Sequence, residues 1–151
     1  MTEASTKGRR VLICQGTGCV STKSPDIQAA LEAEVERLGL TDVEVELTGC
    51  HGFCQQGPIA VIEPDGIFYA GVQVKDAVDI AGSHLQNNEP VERLFYRDPN
   101  TGEAIPRYAD IPFYKGQQRI ILRHCGTINP ERIDQYVGAD GYVAMEKALC
   151  R

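Results

Sequence analysis

Two cysteine pairs constrain this chain more than any other feature in it. Cys14-Gln-Gly-Thr-Gly-Cys19 leaves four residues between its thiols and Cys50-His-Gly-Phe-Cys54 leaves three, and each pair directly follows a run that reads as a strand. Arg10 to Cys14 is an apolar run that stops at Gly16 and Gly18; Val43 to Thr48 alternates apolar and polar with the period of a half-buried strand. Between the two runs lies a helix signal: Ser24 caps, Pro25 suits the first helical position, Ile27, Ala30, Leu31, Val35 and Leu38 recur at helical spacing, and Gly39 stops the pattern. A helical crossover between consecutive strands predicts a parallel pair, so both cysteine loops leave the same edge of the sheet and the four thiols can meet at one site.

Downstream, Ile59 to Ile62 and Ile67 to Tyr69 read as strands around a Pro64-Asp65-Gly66 turn, which makes an antiparallel pair. Residues 75–85, with Ala77, Val78, Ile80, Ala81 and Leu85 apolar, read as a second helix despite Gly82. The expected order is β-α-β-β-β-α with a mixed sheet, an α/β arrangement of the thioredoxin-like type. Residues 86–118 hold Pro90, Pro99, Pro106 and Pro112 and no sustained period, so they read as an extended arm. Leu94, Phe95, Tyr96, Tyr108, Ile111, Phe113 and Tyr114 are too apolar for a free tether and should dock, on a surface expected outside this chain. Arg119 to Arg123 reads as a strand-like run, Asn129-Pro130 as the cap of a short helix to Val137, and Asp140 as the cap of another from Gly141 to Leu149.

Charge narrows the function. Residues 1–85 carry 6 basic and 12 acidic side chains and residues 86–151 carry 9 of each, so the whole net charge of −6 lies in the first part. An acidic unit without basic clusters argues against nucleic acid. The longest apolar runs, Ile59 to Ile62 and Ile120 to Leu122, fall far short of the roughly 20 residues a membrane helix needs, so no membrane insertion is expected. The polar start, Met1 to Arg10, lacks the apolar segment of a secretory signal. A cytoplasmic, reducing location is the expectation, and there six cysteines point to metal or redox chemistry before structural disulfides.

Four thiolates on Gly-rich loops suit an iron–sulfur cluster, because Gly16, Gly18, Gly49 and Gly52 let backbone N–H groups approach the sulfurs. A thioredoxin-type dithiol needs two residues between its cysteines, which neither pair has. Structural zinc remains an alternative that four thiolates also satisfy, although its pairs sit at tight turns of small modules. Four unrelated buried thiols would belong on core faces, not in glycine loops.

CxxxxC followed by CxxxC within β-α-β-β-β-α resembles the thioredoxin-like [2Fe-2S] ferredoxins, a family that includes the small iron–sulfur subunit of respiratory complex I. The likeness spans residues 10–85 and implies a [2Fe-2S] cluster held by Cys14, Cys19, Cys50 and Cys54, with a cis peptide at Gly57-Pro58. A narrower resemblance covers nearly the whole chain. Thr48-Gly-Cys-His-Gly-Phe-Cys-Gln-Gln-Gly-Pro58, Val91-Glu-Arg-Leu-Phe-Tyr96, Ile111-Pro-Phe-Tyr-Lys-Gly-Gln117, Ile121-Leu-Arg-His-Cys-Gly126, Ile133-Asp-Gln-Tyr136 and Gly141-Tyr142 resemble the start of the diaphorase subunit of multimeric NAD(P)-linked hydrogenases and formate dehydrogenases. That subunit fuses this ferredoxin domain ahead of a flavoprotein.

The resemblance implies four parts: a disordered 1–9, a ferredoxin domain 10–85, the arm 86–118, and the start of a flavoprotein domain at 119–151. No Gly-rich phosphate cradle follows the Gly138-Ala-Asp-Gly-Tyr142 entry, so FMN and NAD(H) are expected only in a missing or partner flavoprotein domain, and no complete catalytic domain is expected here. A truncated fragment is the favoured expectation, with one piece of a split subunit as the alternative. The implied function is single-electron transfer between a partner flavin and other clusters, inside a hydrogenase, formate dehydrogenase or NADH dehydrogenase complex. A non-redox docking or assembly role is the competing one. Cys125 and Cys150 read as ordinary thiols, His51 as a loop-surface residue able to adjust a potential with pH, and His84 and His124 as residues without a partner pattern.

Overall fold

A computed structural model describes residues 8–150 of the chain. β1 (Arg9–Cys14) is the spine of a four-stranded sheet ordered β2-β1-β3-β4, with β2 (Val43–Thr48) parallel to it and β3 (Ala60–Glu63) antiparallel. β4 (Ile67–Tyr69) pairs antiparallel with β3 across the Pro64 turn. The mixed thioredoxin-like sheet is the one the residue pattern predicts. Residues 1–7, within the stretch expected to be disordered, lie outside the described residues, and Arg9 is already the first residue of β1.

Two helices precede β2. α1 (Thr17–Ser21) fills what the sequence reading left as an irregular loop, and Cys19 lies on it. α2 (Ser24–Leu38) has the expected bounds and ends at Gly39 with φ +66, the left-handed conformation that glycine adopts without a Cβ penalty. Its cap differs from expectation: Ser24 is the first helical residue and Lys23, in a left-handed conformation with φ +70, takes the N-cap position without a side-chain bond. The expected helix over 75–85 is real but not uniform. A 3₁₀ turn (Val74–Asp76) leads into α3 (Ala77–Asp79), which widens into a π-helical stretch (Ile80–Gln86) whose His84 and Leu85 carbonyls accept from Arg9.

Strict alternation along β1 divides its side chains between two cores. Val11 and Ile13 join Ala60, Ile62, Tyr69, Ile27, Leu31, Ile80 and Ala81 on the helix side. Leu12 and Cys14 face the other way, with Ile59, Val61, Phe68, Cys19, Tyr96, Ile111 and Tyr114. The arm expected to seek a surface elsewhere therefore covers this chain's own second sheet face. It does so through backbone bonds to β4: Ala70 N donates to Leu94 O at 2.8 Å, Phe68 N to Pro106 O at 2.7 Å, and Tyr108 N to Gly66 O at 2.9 Å. Within the arm a small ladder, β5 (Tyr96–Arg97) with β6 (Ala104–Ile105), precedes α4 (Pro112–Lys115). Burying these aromatic side chains supplies the free energy that extended backbone alone lacks.

The C-terminal segment departs from the sequence reading at three points. Arg119 to Arg123 is no strand: it is a run of turns with Ile121 90% exposed. The two last helices start later than expected, α5 at Ile133 (Ile133–Gly138) and α6 at Val143 (Val143–Leu149), because Asn129 spends its side chain on the Glu131 N–H and Tyr142 adopts φ +66. α5 is tied to the sheet by Gln135, whose Nε2 donates to Glu46 Oε2 at 2.5 Å while Arg10 Nε donates to Glu46 Oε1 at 3.0 Å. Among the described residues no helix is long and apolar enough to cross a membrane.

Candidate metal centre

Parallel pairing of β1 and β2 in the register Cys14 to Thr48 brings both cysteine loops to one edge of the sheet. Cys14 ends β1 and is fixed by its N–H to Ile59 O at 3.0 Å, and the next residue, Gln15, donates to Thr48 O at 3.0 Å. α1 then turns Cys19 back toward Cys14. Cys50 follows β2 by two residues, and Cys54 opens a 3₁₀ turn (Cys54–Gln56) that leads to Gly57-Pro58, which is cis.

The glycines measure how close these groups come. A Cβ on Gly16 would lie 2.9 Å from Cys50 Sγ, one on Gly18 would lie 3.4 Å from Cys54 Sγ, and one on Gly57 would lie 2.8 Å from Cys19 Sγ. So the first loop packs on the thiols of the second and the Gly57 turn packs on the first: all four predicted cysteines come together, in contact with backbone that only glycine leaves open. Cys14 and Cys19 are buried and Cys50 and Cys54 are at the solvent edge. Among the described residues no three His, Cys, Asp or Glu side chains are arranged to hold a single metal ion.

Electrostatics within the group follow from shared protons. Cys14 is pulled down to about 6 by the hydrogen bond from the Cys19 thiol, helped by the Gly16 and His51 amides and by Cys50, against a burial that pushes it up. Cys19, which keeps the proton of that pair, is pushed up by Cys14 and by burial. Cys50 accepts the Gly52 N–H at 3.3 Å, yet its thiol is raised by partial desolvation and by the charges of Cys14 and Cys54. Thiols with depressed pKa values are those that bind metal readily, since the thiolate is the ligand.

No family model matches the chain. Over 77 residues it is 40% identical to a 2Fe-2S ferredoxin of Clostridium pasteurianum, an alignment that spans 50% of this chain and 76% of that protein. A 2Fe-2S ferredoxin of Aquifex aeolicus is 35% identical over 79 residues, 50% of this chain and 70% of the relative. A solved structure of a thioredoxin-like [2Fe-2S] ferredoxin from Aquifex aeolicus superposes with a TM-score of 0.54 at 28% identity, covering 58% of this chain and 89% of that one. The chain belongs to the thioredoxin-like [2Fe-2S] ferredoxins. In this ferredoxin the matches with these three relatives leave about half of the chain uncovered.

Several residues around the thiols were missed or misread from sequence. His51, expected at the loop surface, is 3% exposed, with neither ring nitrogen hydrogen-bonded. It is wedged against Phe68 and Tyr108, and a Cβ on Gly126 (φ +87) would sit 2.5 Å from its Nδ1. Burial, with Arg119 nearby, lowers its pKa to about 4, so the ring is neutral. Cys125, expected as an ordinary thiol, is free and lies beside the second loop: a Cβ on Gly49 would be 3.7 Å from its Cα. Thr48 Oγ1 donates to Ile128 O at 2.8 Å on the same side. Only the positive φ needed at Gly126 hinted at this packing, and a lone glycine is too weak a signal to read. His84, without an evident partner in the sequence, shares a hydrogen bond at Nδ1 with the Tyr69 hydroxyl at 2.7 Å, and that hydroxyl accepts from Val91 N at 2.9 Å. A hollow of about 1430 Å³ along β2, between Arg10, Glu44 and Arg132, lies away from the thiols and is walled by paired charges.

Proposed function

We propose that this ferredoxin carries single electrons on a [2Fe-2S] cluster ligated by Cys14, Cys19, Cys50 and Cys54. The observation that carries the reading is the convergence of four thiols from two loops onto one sheet edge, packed so that a side chain on Gly16 or Gly57 would collide with Cys50 or Cys19 and one on Gly18 would press on Cys54. The donor set suits the group: four thiolates are what such a cluster takes. When bound, the cluster supplies reversible one-electron chemistry. The chain's own residues hold and tune it. Cys14 and Cys19 anchor the buried side, Cys50 and Cys54 the solvent side, and the Gly52 amide aims a hydrogen bond at Cys50 that favours negative charge on sulfur. The arm and His51 keep water from the face behind Cys14.

The same reading places the protein in the cytoplasm, in an NAD(P)H-linked complex of the hydrogenase, formate dehydrogenase or NADH dehydrogenase kind, next to a flavoprotein that holds FMN and NAD(H). What supports it is the diaphorase-like run of motifs from Val91 to Tyr142, together with exposed Ile120, Ile121, Leu122, Val143, Met145 and Leu149, an apolar surface suited to a partner subunit. Iron and acid-labile sulfide analysis of anaerobically purified protein should give about two of each per chain. Absorption and low-temperature EPR should show a centre reduced by dithionite but not by NADH alone. Cys50→Ala should remove the normal spectrum; an unchanged spectrum in that variant, or zinc in place of iron after anaerobic reconstitution, refutes the reading.

A further inference from the structure

Behind Cys19 the surface opens into a groove of about 580 Å³ lined by Thr22, Lys23, Ile27, Gly57, Pro58, Gly71, Val72, Val74 and Lys75. Ile27, Pro58 and Val72, all buried, back its floor, and Val74, exposed at the rim, is the apolar side chain it presents. Its wall toward the thiols is one residue thick: Gly57 lines the groove on one side and touches Cys19 Sγ and the Cys54 carbonyl on the other.

Charge singles the groove out. Up to residue 85, among the described residues, Arg9, Arg10 and Arg37 are each engaged by oxygen acceptors, Arg9 by the His84 and Leu85 carbonyls, Arg10 by Glu46 and Arg37 by Glu34. Lys23 and Lys75 are not, and both stand at this rim in a stretch whose net charge is −6. Lys23 also occupies the N-cap of the 15-residue α2 in a left-handed conformation that costs a non-glycine residue, and the helix N-terminus adds positive potential beside it. Of the acids nearest in sequence, Asp76 is buried and taken by Arg93 and the Gln73 N–H, and Asp26, exposed in the first turn of α2, offsets part of this charge. An apolar floor under two unpaired ammonium groups complements an apolar side chain flanked by carboxylates.

We infer that this groove docks an acidic segment of a partner protein, seating one apolar side chain against Val74 with carboxylates on Lys23 and Lys75. Such docking brings the partner's backbone to within one residue of the Cys19 thiol. The inference rests on the electron-carrier reading only for its purpose, since docking itself needs no electron to move.

The test uses the full, cluster-loaded chain and a fluorescent pentapeptide of leucine flanked on each side by two glutamates, followed by anisotropy at low salt. Lys23→Glu combined with Lys75→Glu should weaken binding by about tenfold or more, as expected for two ion pairs reversed at a partly desolvated rim. Lys115→Glu combined with Lys147→Glu changes the net charge equally and should leave binding within about twofold. Carbodiimide should couple the peptide to Lys23 and Lys75. Equal loss in both double variants, coupling to lysines elsewhere, no binding at all, or a groove blocked by self-association in sedimentation would overturn the proposal. The visible spectrum recorded on the same samples reports the cluster separately: a missing cluster with peptide bound defeats the electron-carrier reading and leaves the groove standing.

Discussion

Gly57→Ala tests how tightly the two cysteine loops are packed. Gly57 has φ −72 and ψ 162, an extended conformation that alanine adopts freely, so the substitution changes contact and not backbone preference. Its new methyl would lie 2.8 Å from Cys19 Sγ and 3.3 Å from the Cys54 carbonyl, where comfortable contact needs about 3.5–4.0 Å. A separation of roughly 1 Å must come from the thiol or from the turn, and neither is the free end of a flexible side chain. Overpacking of this kind costs about 1–3 kcal/mol, and for a chain of this size each kcal/mol lowers Tm by about 2–4 °C. Because the strain falls on a proposed ligand, iron per chain should fall in parallel. Gly82→Ala is the control: its methyl meets nothing within 4 Å, so the variant should be neutral or up to about 1 kcal/mol more stable. Calorimetry and iron analysis of both variants decide the matter. A Gly57→Ala protein with the wild-type Tm and full iron would show that the loops give way easily and that the close approach is no constraint.

Other perturbations probe the surroundings. His51 is held neutral by burial, with its pKa lowered to about 4 from 6.5, so the unfolded chain binds its proton first as pH falls. Stability on this account is full above pH 6.5 and declines between 6.5 and 4 by up to about 3 kcal/mol. Urea midpoints at the two ends of that range should differ more for wild type than for His51→Leu, and equal slopes would remove the cause. Arg10→Leu leaves Glu46, 5% exposed, with Gln135 alone as partner. Arg10 is itself partly exposed, so the cost should be near the low end of a broken buried pair, about 3 kcal/mol, and Glu46→Gln in the same chain should recover most of it.

Much of this architecture is legible in the residues because it is local. α2 announces both ends through Pro25 and Gly39, β2 through its alternation, and the cysteine spacings place four thiols at one edge once β1 and β2 are parallel. What escaped is long-range or too short to carry a period. α1 spans five residues and includes a glycine. The arm's destination depends on backbone bonds such as Phe68 N to Pro106 O, between residues far apart in the chain. Ile120-Ile121-Leu122 looks like a strand by composition, but no neighbouring strand receives it and its apolar side chains face outward. His51 was misjudged because a histidine in a glycine loop reads as surface until Gly126, Phe68 and Tyr108 close over it.

Pairing of the arm with β4 has a further consequence, for how copies of the molecule behave toward one another. A sheet edge with free N–H and C=O groups is a template for strand addition and so for aggregation. On the β4 side that template is filled from within the same chain, at Phe68 and Ala70, with bridges from Ile67 to Arg107 and from Tyr69 to Phe95. On the other side β2 carries Glu44 and Glu46, whose carboxylates are taken up by Arg132 and by Arg10 and Gln135, so side chains of the C-terminal segment border that edge. The protein thus fills one border of its sheet by self-complementation and lines the other with carboxylates already engaged by its own Arg132, Arg10 and Gln135.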